Sequence, residues 1–257
     1  MDVHHHTHLA SGETHTARKK WTHYFWEFLM LFLAVTLGFF VENQREHYVE
    51  HQREKQYAQT LYDDIKQDTA EIKYYNFEID FATSRIDTFR NLVQRFNVKD
   101  LPGGTWYYYG RFATRNFKVT LQDATLQQLK NSGGLRYFKK PSVANAIARY
   151  DQVCRNLQTD LLQSAMIYNE LLQWRNQLFN AYYFDEIMEF TISANKVDSF
   201  KKSNPPLFSE KKDDFIHYAN LCQLRAYNNK YTLSYMRDVL KKAEELIQIL
   251  KEEYHLQ

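Results

Sequence analysis

The sequence predicts an all-α protein in which one N-terminal transmembrane helix continues into an elongated antiparallel three-helix bundle with a small capping region. The 257 residues include only 7 glycines and 4 prolines, about a third of the usual share. A β-sandwich, a barrel or a doubly wound α/β fold of this size needs many more turn residues, so these folds are excluded. Apolar residues recur instead at spacings of three and four, as they do on one face of a helix.

The chain begins with a histidine-rich tail, residues 1–20. His4, His5, His6 and His8 are closely spaced, and neutral imidazoles at this density bind zinc, nickel or copper. No cysteine or ordered scaffold accompanies them, so we expect adventitious divalent-metal binding by a flexible tail. A purposeful metal-binding or pH-dependent role is the alternative.

The second segment, residues 21–41, is predicted to be a transmembrane helix. Glu27 is its only charged residue, and a helix of this length spans roughly 31 Å, which matches a hydrocarbon core of about 30 Å. A cleaved signal peptide and a buried core helix are the alternatives. Residues 42–46 offer no small-x-small cleavage site, and this favours an uncleaved anchor.

The basic residues around this helix predict its orientation. Arg18, Lys19 and Lys20 directly precede the helix, so the positive-inside rule places residues 1–20 in the cytoplasm and the rest of the chain across the membrane. The two sides of the helix differ little in their number of basic residues, because three also follow it within the next twenty positions: Arg45, Arg53 and Lys55.

The remaining chain is predicted to form a polar helical stalk over residues 42–57 and a helical bundle over 58–257. Three apolar seams, meaning rows of apolar residues at 3-4 spacing, predict its three long helices. The first seam runs through Leu61, Ile65, Asp68 (its one polar position), Ile72, Tyr75, Ile79, Ala82, Ile86, Phe89, Val93 and Phe96. The second runs through Val143, Ile147, Tyr150, Cys154, Leu157, Leu161, Tyr168, Leu171 and Leu178, and the third through Ile216, Leu221, Leu224, Tyr235, Val239, Ala243, Leu246 and Leu250.

Alternating helix directions would place the other segments. Residues 97–140, which hold most of the glycines, would form a cap at the tip distal to the membrane, where the C-terminus would also lie. The same arrangement separates Cys154 and Cys222 by roughly 36 Å along the bundle axis, far beyond the reach of a disulfide. We therefore expect two free, buried thiols.

Two short segments carry a resemblance to a known family. Residues 126–136, which contain a Leu-x-x-Ser-Gly element, and residues 28–46, which contain the anchor and its flank, are similar to those of bacterial single-span inner-membrane proteins of uncharacterised function. Members of this family have a short, here His-rich, amino tail and an extramembrane helical domain. The resemblance implies an anchor in the inner membrane of a Gram-negative bacterium and supplies no function, catalytic residue or ligand. Together with the positive-inside rule, it places the helical domain in the periplasm.

Three candidate sites lie close to the membrane segment. His47, Glu50 and His51 match the H-x-x-E-H pattern of zinc proteases, but on a polar stalk the two histidines more simply face solvent, with a metal bridge between chains as the alternative. Glu27 lies at the membrane interface or contacts a partner helix. Ala34 and Gly38 form a small-xxx-small face that suits helix association.

Two further candidate sites lie in the bundle. Asp64, Asp68 and Glu71 share one face of the first helix, as the carboxylates of di-metal bundles do, although a register role for Asp68 or its pairing with an arginine is simpler. An aromatic run at the tip is either a ligand platform or a hydrophobic cover. This candidate ligand-binding tip comprises Trp106, Tyr107, Tyr108, Tyr109 and Arg111.

These observations predict a non-enzymatic protein without a cofactor. No phosphate-binding loop, nucleophile elbow or dinucleotide fingerprint occurs, and the net charge of +2 gives no basic surface for nucleic acid. We expect a membrane-anchored scaffold or accessory subunit that acts through protein contacts, as a homo-oligomer or in a membrane complex. A sensory bundle that binds a ligand and signals through its anchor to a separate partner is the alternative.

Overall fold

The computed structural model describes residues 17–188 and 192–256. In these ranges the chain is helical and contains no β-strand, which confirms the all-α part of the prediction. The α-helices are α1 (Ala17–Arg95), α2 (Gly103–Gly110), α3 (Ala124–Asn131), α4 (Pro141–Leu178), α5 (Ala194–Lys202) and α6 (Lys212–Tyr254). Short 3-10 helices lie at Val98–Asp100, Arg111–Thr114, Gly134–Tyr137 and Ala181–Ile187.

The chain divides into two compact units, Met1–Arg53 and Glu54–Gln257. Within the first unit, the side chains of residues 21–41 are exposed except for Leu29, which is half-buried. In the described part of the chain, α1 is the one helix with the length and apolar composition of a membrane span, and a signal sequence has the same properties.

Local signals explain where the helices of the second unit begin and end. Asp100 accepts a hydrogen bond from the backbone N–H of Asn97 just beyond α1, at 2.7 Å, and this turn redirects the chain. Gly133 follows α3 with a φ of 65°, a left-handed conformation that favours glycine. Pro141 begins α4, where its missing N–H costs no hydrogen bond.

Two hydrophobic clusters form the core of the second unit, and α1, α4 and α6 contribute to both. The α1 residues of cluster A are Ala82, Ile86, Phe89 and Val93. Those of cluster B are Ala58, Leu61, Tyr62, Ile65, Ile72 and Ile79. All of them are buried, so the first predicted seam is confirmed apart from Tyr75, which is half-buried, and Phe96, which is exposed.

Contacts between the long helices give their directions. Tyr254 donates a hydrogen bond to Glu54 at 2.6 Å and Asn229 donates one to Thr83 at 2.9 Å, so α6 runs antiparallel to α1. The C-terminus therefore lies at the Glu54 end of the second unit, opposite to the predicted end.

The second long helix, α4, differs from the antiparallel prediction because it runs parallel to α1. Its Tyr150 donates a hydrogen bond to Asp68 at 2.6 Å. Farther along both helices, Leu178 lies in the same cluster as Phe89. A parallel neighbour needs a connection long enough to return along the bundle, and residues 97–140 supply it.

Residues 111–140 correspondingly do not belong to a cap at the end of the bundle. The crossover, defined here as residues 111–140, runs back along α1, where four acidic side chains hold it in descending order. Glu78 pairs with Arg115 at 2.5 Å, Glu71 accepts from the N–H of Thr120 at 2.8 Å, Asp68 accepts from the N–H of Gln122 at 2.7 Å, and Asp64 accepts from the hydroxyl of Thr125 at 2.5 Å.

Candidate functional site

The predicted ligand-binding tip is part of the protein core. Trp106 and Tyr107 are 0 % exposed, and the indole N–H of Trp106 donates to the carbonyl of Val98 at 2.9 Å. The Tyr107 hydroxyl donates to the carbonyl of Pro206 and accepts from the N–H of Asn180, both at 2.8 Å. Burial raises the pKa of Tyr107. These two rings are hydrophobic cover with satisfied polar groups and leave no exposed platform.

The other tip residues also leave no exposed platform, although the Nε–H of Arg111 is buried without a partner. Tyr108 is buried and Tyr109 is half-buried. The Arg111 guanidinium lies 4.8 Å from the ring centre of Phe112 and donates to the carbonyl of Ile187. Burial lowers the pKa of Arg111.

Two glycines allow this region to pack closely. The N–H of Gly104 donates to the carbonyl of Ser203 at 3.0 Å, and that of Gly103 donates to the Asn204 side chain at 2.8 Å. A Cβ on Gly104 would overlap the carbonyl of Phe200 at the end of α5. Glycine at this position therefore sets the distance between α2 and α5.

The structure describes some of the candidate metal ligands and not others. His4, His5, His6 and His8 lie outside the described residues. His47 and His51 lie on α1, and Nδ1 of His47 is 3.9 Å from Oε2 of Glu50. Within residues 17–188 and 192–256, no group of three or more metal-ligating side chains forms.

The candidate membrane-helix contacts are open on the surface of the first unit. Glu27 is exposed and lies 3.5 Å from Nε2 of His23. Ala34 is exposed, and a Cβ built on Gly38 would meet no atom within 4 Å. The structure therefore leaves the small-xxx-small face available.

The acidic face of α1 binds the crossover and does not collect carboxylates from other helices. Asp68 is 1 % exposed and accepts hydrogen bonds from Tyr150 and Gln122, so the predicted arginine partner is wrong. Burial raises the pKa of Asp68 despite these hydrogen bonds. Asp64 and Glu71 bind the crossover on either side of it.

Both cysteines are free and buried, as predicted. Cys154 lies in cluster B and Cys222 in cluster A. Burial raises the pKa of the Cys154 thiol to about 12 and that of Cys222 further, so neither thiol has the character of a nucleophile.

A face that the sequence did not predict lies on the helix pair α4 and α6. The two helices are adjacent, because Trp174 stacks on His217 with ring centres 3.9 Å apart and Thr232 donates to Asp160 at 2.6 Å. Large apolar side chains are nevertheless exposed on both helices. We call these exposed side chains of the two helices the α4/α6 face: they are Leu162, Met166, Ile216, Leu224, Tyr227 and Tyr231, of which Ile216 also lines a groove between α6 and α1.

The α6 part of this face is a stripe. Ile216, Leu224, Tyr227 and Tyr231 are between 42 % and 55 % exposed, and their spacing places them within roughly 80° around the helix. The rings of Tyr227 and Tyr231 lie 5.0 Å apart. The predicted third seam included Ile216 and Leu224 as core residues, and this was wrong, because α6 uses Phe215, Tyr218 and Cys222 instead.

The same face is poor in charge. α6 has no carboxylate between Asp214 and Asp238, and α4 has no charged residue between Asp160 and Glu170. The absence of carboxylates from this part of α6 can be read from the sequence. Together with the spacing of the exposed apolar residues, it indicates an exposed apolar face.

No known protein family, curated protein or solved structure matches this chain.

Proposed function

We propose that this protein is a membrane-anchored scaffold that binds another protein through the α4/α6 face, and that the first partner is a second copy of the chain. The observation that carries this proposal is the exposed, charge-poor row of apolar and tyrosine side chains. The cores of protein interfaces are depleted in charged residues and enriched in tyrosine and methionine.

A second copy fits this face because the face is poor in charge, with Lys230 as the one exposed charged residue of α6 between Asp214 and Arg237. A two-fold symmetric interface brings the same patch of both chains together, so like charges would oppose each other on a charged face. Tyrosine hydroxyls are both donors and acceptors and are self-complementary. Anchoring in one bilayer raises the local concentration of the copies.

The proposal includes the placement of the chain. The exposed residues 21–41 form the transmembrane anchor, the His-rich tail is cytoplasmic, and the helical unit is periplasmic, in the inner membrane of a Gram-negative bacterium. The basic residues before the anchor and the resemblance to single-span inner-membrane proteins support this topology. Helix α6 pairs antiparallel with α1 and with α4, and these three helices form the bundle that carries the α4/α6 face.

Site-specific photocrosslinking in the full chain, in its own membrane, tests the scaffold. A photoreactive phenylalanine analogue at position 227 should give a product of twice the chain mass. The same analogue at Tyr74, which is 60 % exposed on α1, is the matched control and should give none. A doubled mass from position 74 and none from position 227 would contradict the proposed face. A product of another defined mass from position 227 would mark an accessory subunit.

The sensory alternative has one observation in its favour. A groove of about 530 Å³ lies between α1 and α6, which is the size of small-molecule sites. Its lining includes Arg90, Asn91, Gln94, Lys212, Asn220 and Gln223. Arg90 pairs with Asp87 at 2.8 Å, and Lys212 donates to the carbonyls of Val93 and Phe96, so both cations of the lining already have partners. The lining is mainly polar and uncharged, and a small polar molecule retained by the purified protein would favour a ligand-binding function.

A further inference from the structure

A buried polar layer separates the two hydrophobic clusters of the second unit. It lies where the α1, α4 and α6 contributions change from cluster A to cluster B. Its members, all 8 % exposed or less, are Thr83, Asp160, Ser164, Arg225, Asn229 and Thr232.

Most of these side chains satisfy one another. Asn229 donates to the hydroxyl of Thr83 at 2.9 Å, and Thr232 donates to the Asp160 carboxylate at 2.6 Å. The hydroxyl of Ser164 accepts from Asn228 and donates to the Asp160 carbonyl at 3.0 Å. The polar layer is therefore a built hydrogen-bond network.

Arg225 is the exception in this network. It is 5 % exposed, and one of its terminal nitrogens donates to the carbonyl of Arg115 at 3.0 Å. Its Nε–H is buried and has no partner. Asp160, the acid of the layer, forms no ion pair with it within 4 Å among the described residues. Burial raises the pKa of Asp160, and the charge of Arg225 acts in the opposite direction.

A cavity of about 30 Å³ adjoins this unsatisfied guanidinium. Asn116, Ser164, Asn229 and Thr232 supply polar lining, and Ile79 and Leu161 supply apolar walls. The volume suits one or two water-sized particles and excludes polyatomic anions. Asn116 is exposed on the crossover, so the cavity has a route to solvent.

We propose that this cavity binds a monatomic halide, chloride under ordinary conditions, on the Nε–H of Arg225. An arginine keeps its charge in a protein, and a buried charge without a partner is costly. A halide supplies the missing counter-charge and accepts the free hydrogen bond. The bound ion joins α6, α4 and the crossover at the centre of the second unit, whether or not the α4/α6 face binds a partner.

The halide dependence of thermal unfolding tests this proposal. The detergent-solubilised full chain is heated in sodium chloride, bromide, gluconate or sulfate at constant ionic strength. Chloride and bromide should raise the Tm by about 5 °C in a saturable way, as expected when a ligand at many times its Kd binds only the folded state. Equal Tm values in chloride and gluconate would overturn the proposal and leave water as the occupant.

Two variants test whether the halide-dependent Tm shift arises at Arg225. Arg225→Gln should lose the halide-dependent Tm shift, whereas Lys230→Gln, which removes an exposed cation from the same helix, should retain it. A halide shift that persists in Arg225→Gln would overturn the site. If that variant does not fold, the chloride NMR signal is measured with the wild-type chain. The chain should broaden this signal, bromide should reverse the broadening and gluconate should not. Absence of broadening counts against the proposal.

Discussion

Trp106→Ala is expected to lower the free energy of unfolding by about 4 kcal/mol, because truncation of a buried tryptophan removes apolar contacts and leaves a cavity. Trp106 packs edge-on against Phe89 and Phe215, with ring centres 6.0 and 5.1 Å away. The variant also leaves the carbonyl of Val98 without its donor. Denaturant unfolding of the full chain in detergent, followed by circular dichroism, measures the loss.

The matched control is Phe208→Ala. Phe208 is 64 % exposed, and its N–H binds the carbonyl of Leu178 in the same region, so its truncation should cost less than about 0.5 kcal/mol. A loss below about 1 kcal/mol for Trp106→Ala would contradict the buried position of the aromatic run and restore the ligand platform as an interpretation.

Asp68→Ala is expected to lower the free energy of unfolding by about 3 kcal/mol. The change leaves the hydroxyl of Tyr150 and the N–H of Gln122 without their acceptor in a buried site, and each unsatisfied group costs about 1–3 kcal/mol. The crossover should loosen at the same time, so hydrogen exchange at Gln122 should accelerate. Asp63→Ala, which removes an exposed carboxylate from the same helix, should change the stability by less than about 0.5 kcal/mol.

Comparison of the wild-type chain with Asp68→Asn shows how the contribution of Asp68 to stability depends on pH. Burial raises the pKa of Asp68 in the folded state above the value of about 4 in an unfolded chain. The protonated form is therefore favoured by folding, and its stabilising contribution is complete below about pH 4 and is lost as the pH rises through the folded pKa. The wild-type chain should gain stability relative to Asp68→Asn as the pH falls from 7 towards 4, and a loss over this range would contradict the assignment.

The sequence predicted the long helices and the first core seam because both depend on a local period. Leu61, Ile65 and Ile72 recur at 3-4 spacing, and their burial follows from that spacing. The same rule was wrong for Ile216 and Leu224, because apolar residues on an exposed helix face have the same spacing as core residues. The missing carboxylates between residues 214 and 238 distinguish this face from a solvated one.

The path of the crossover was not predictable from local signals. Its direction depends on pairings between distant residues, such as the N–H groups of Thr120 and Gln122 with Glu71 and Asp68. Acidic residues on one helix face indicate equally a solvated surface, a metal site or a binding strip for another segment. The burial of Trp106 and Tyr107 likewise depends on α5 and α6, which lie far away in the sequence.

Native mass spectrometry of the full chain, gently extracted from its own membrane in mild detergent, tests the central claim most directly. Wild-type protein should carry the mass of two 30.9 kDa chains, and the double variant Tyr227→Glu, Tyr231→Glu should carry the mass of one, because opposed carboxylates cannot be buried together. Tyr74→Glu should remain a dimer. A wild-type mass of one chain, or a dimer that the double variant leaves intact, would contradict protein binding through the α4/α6 face.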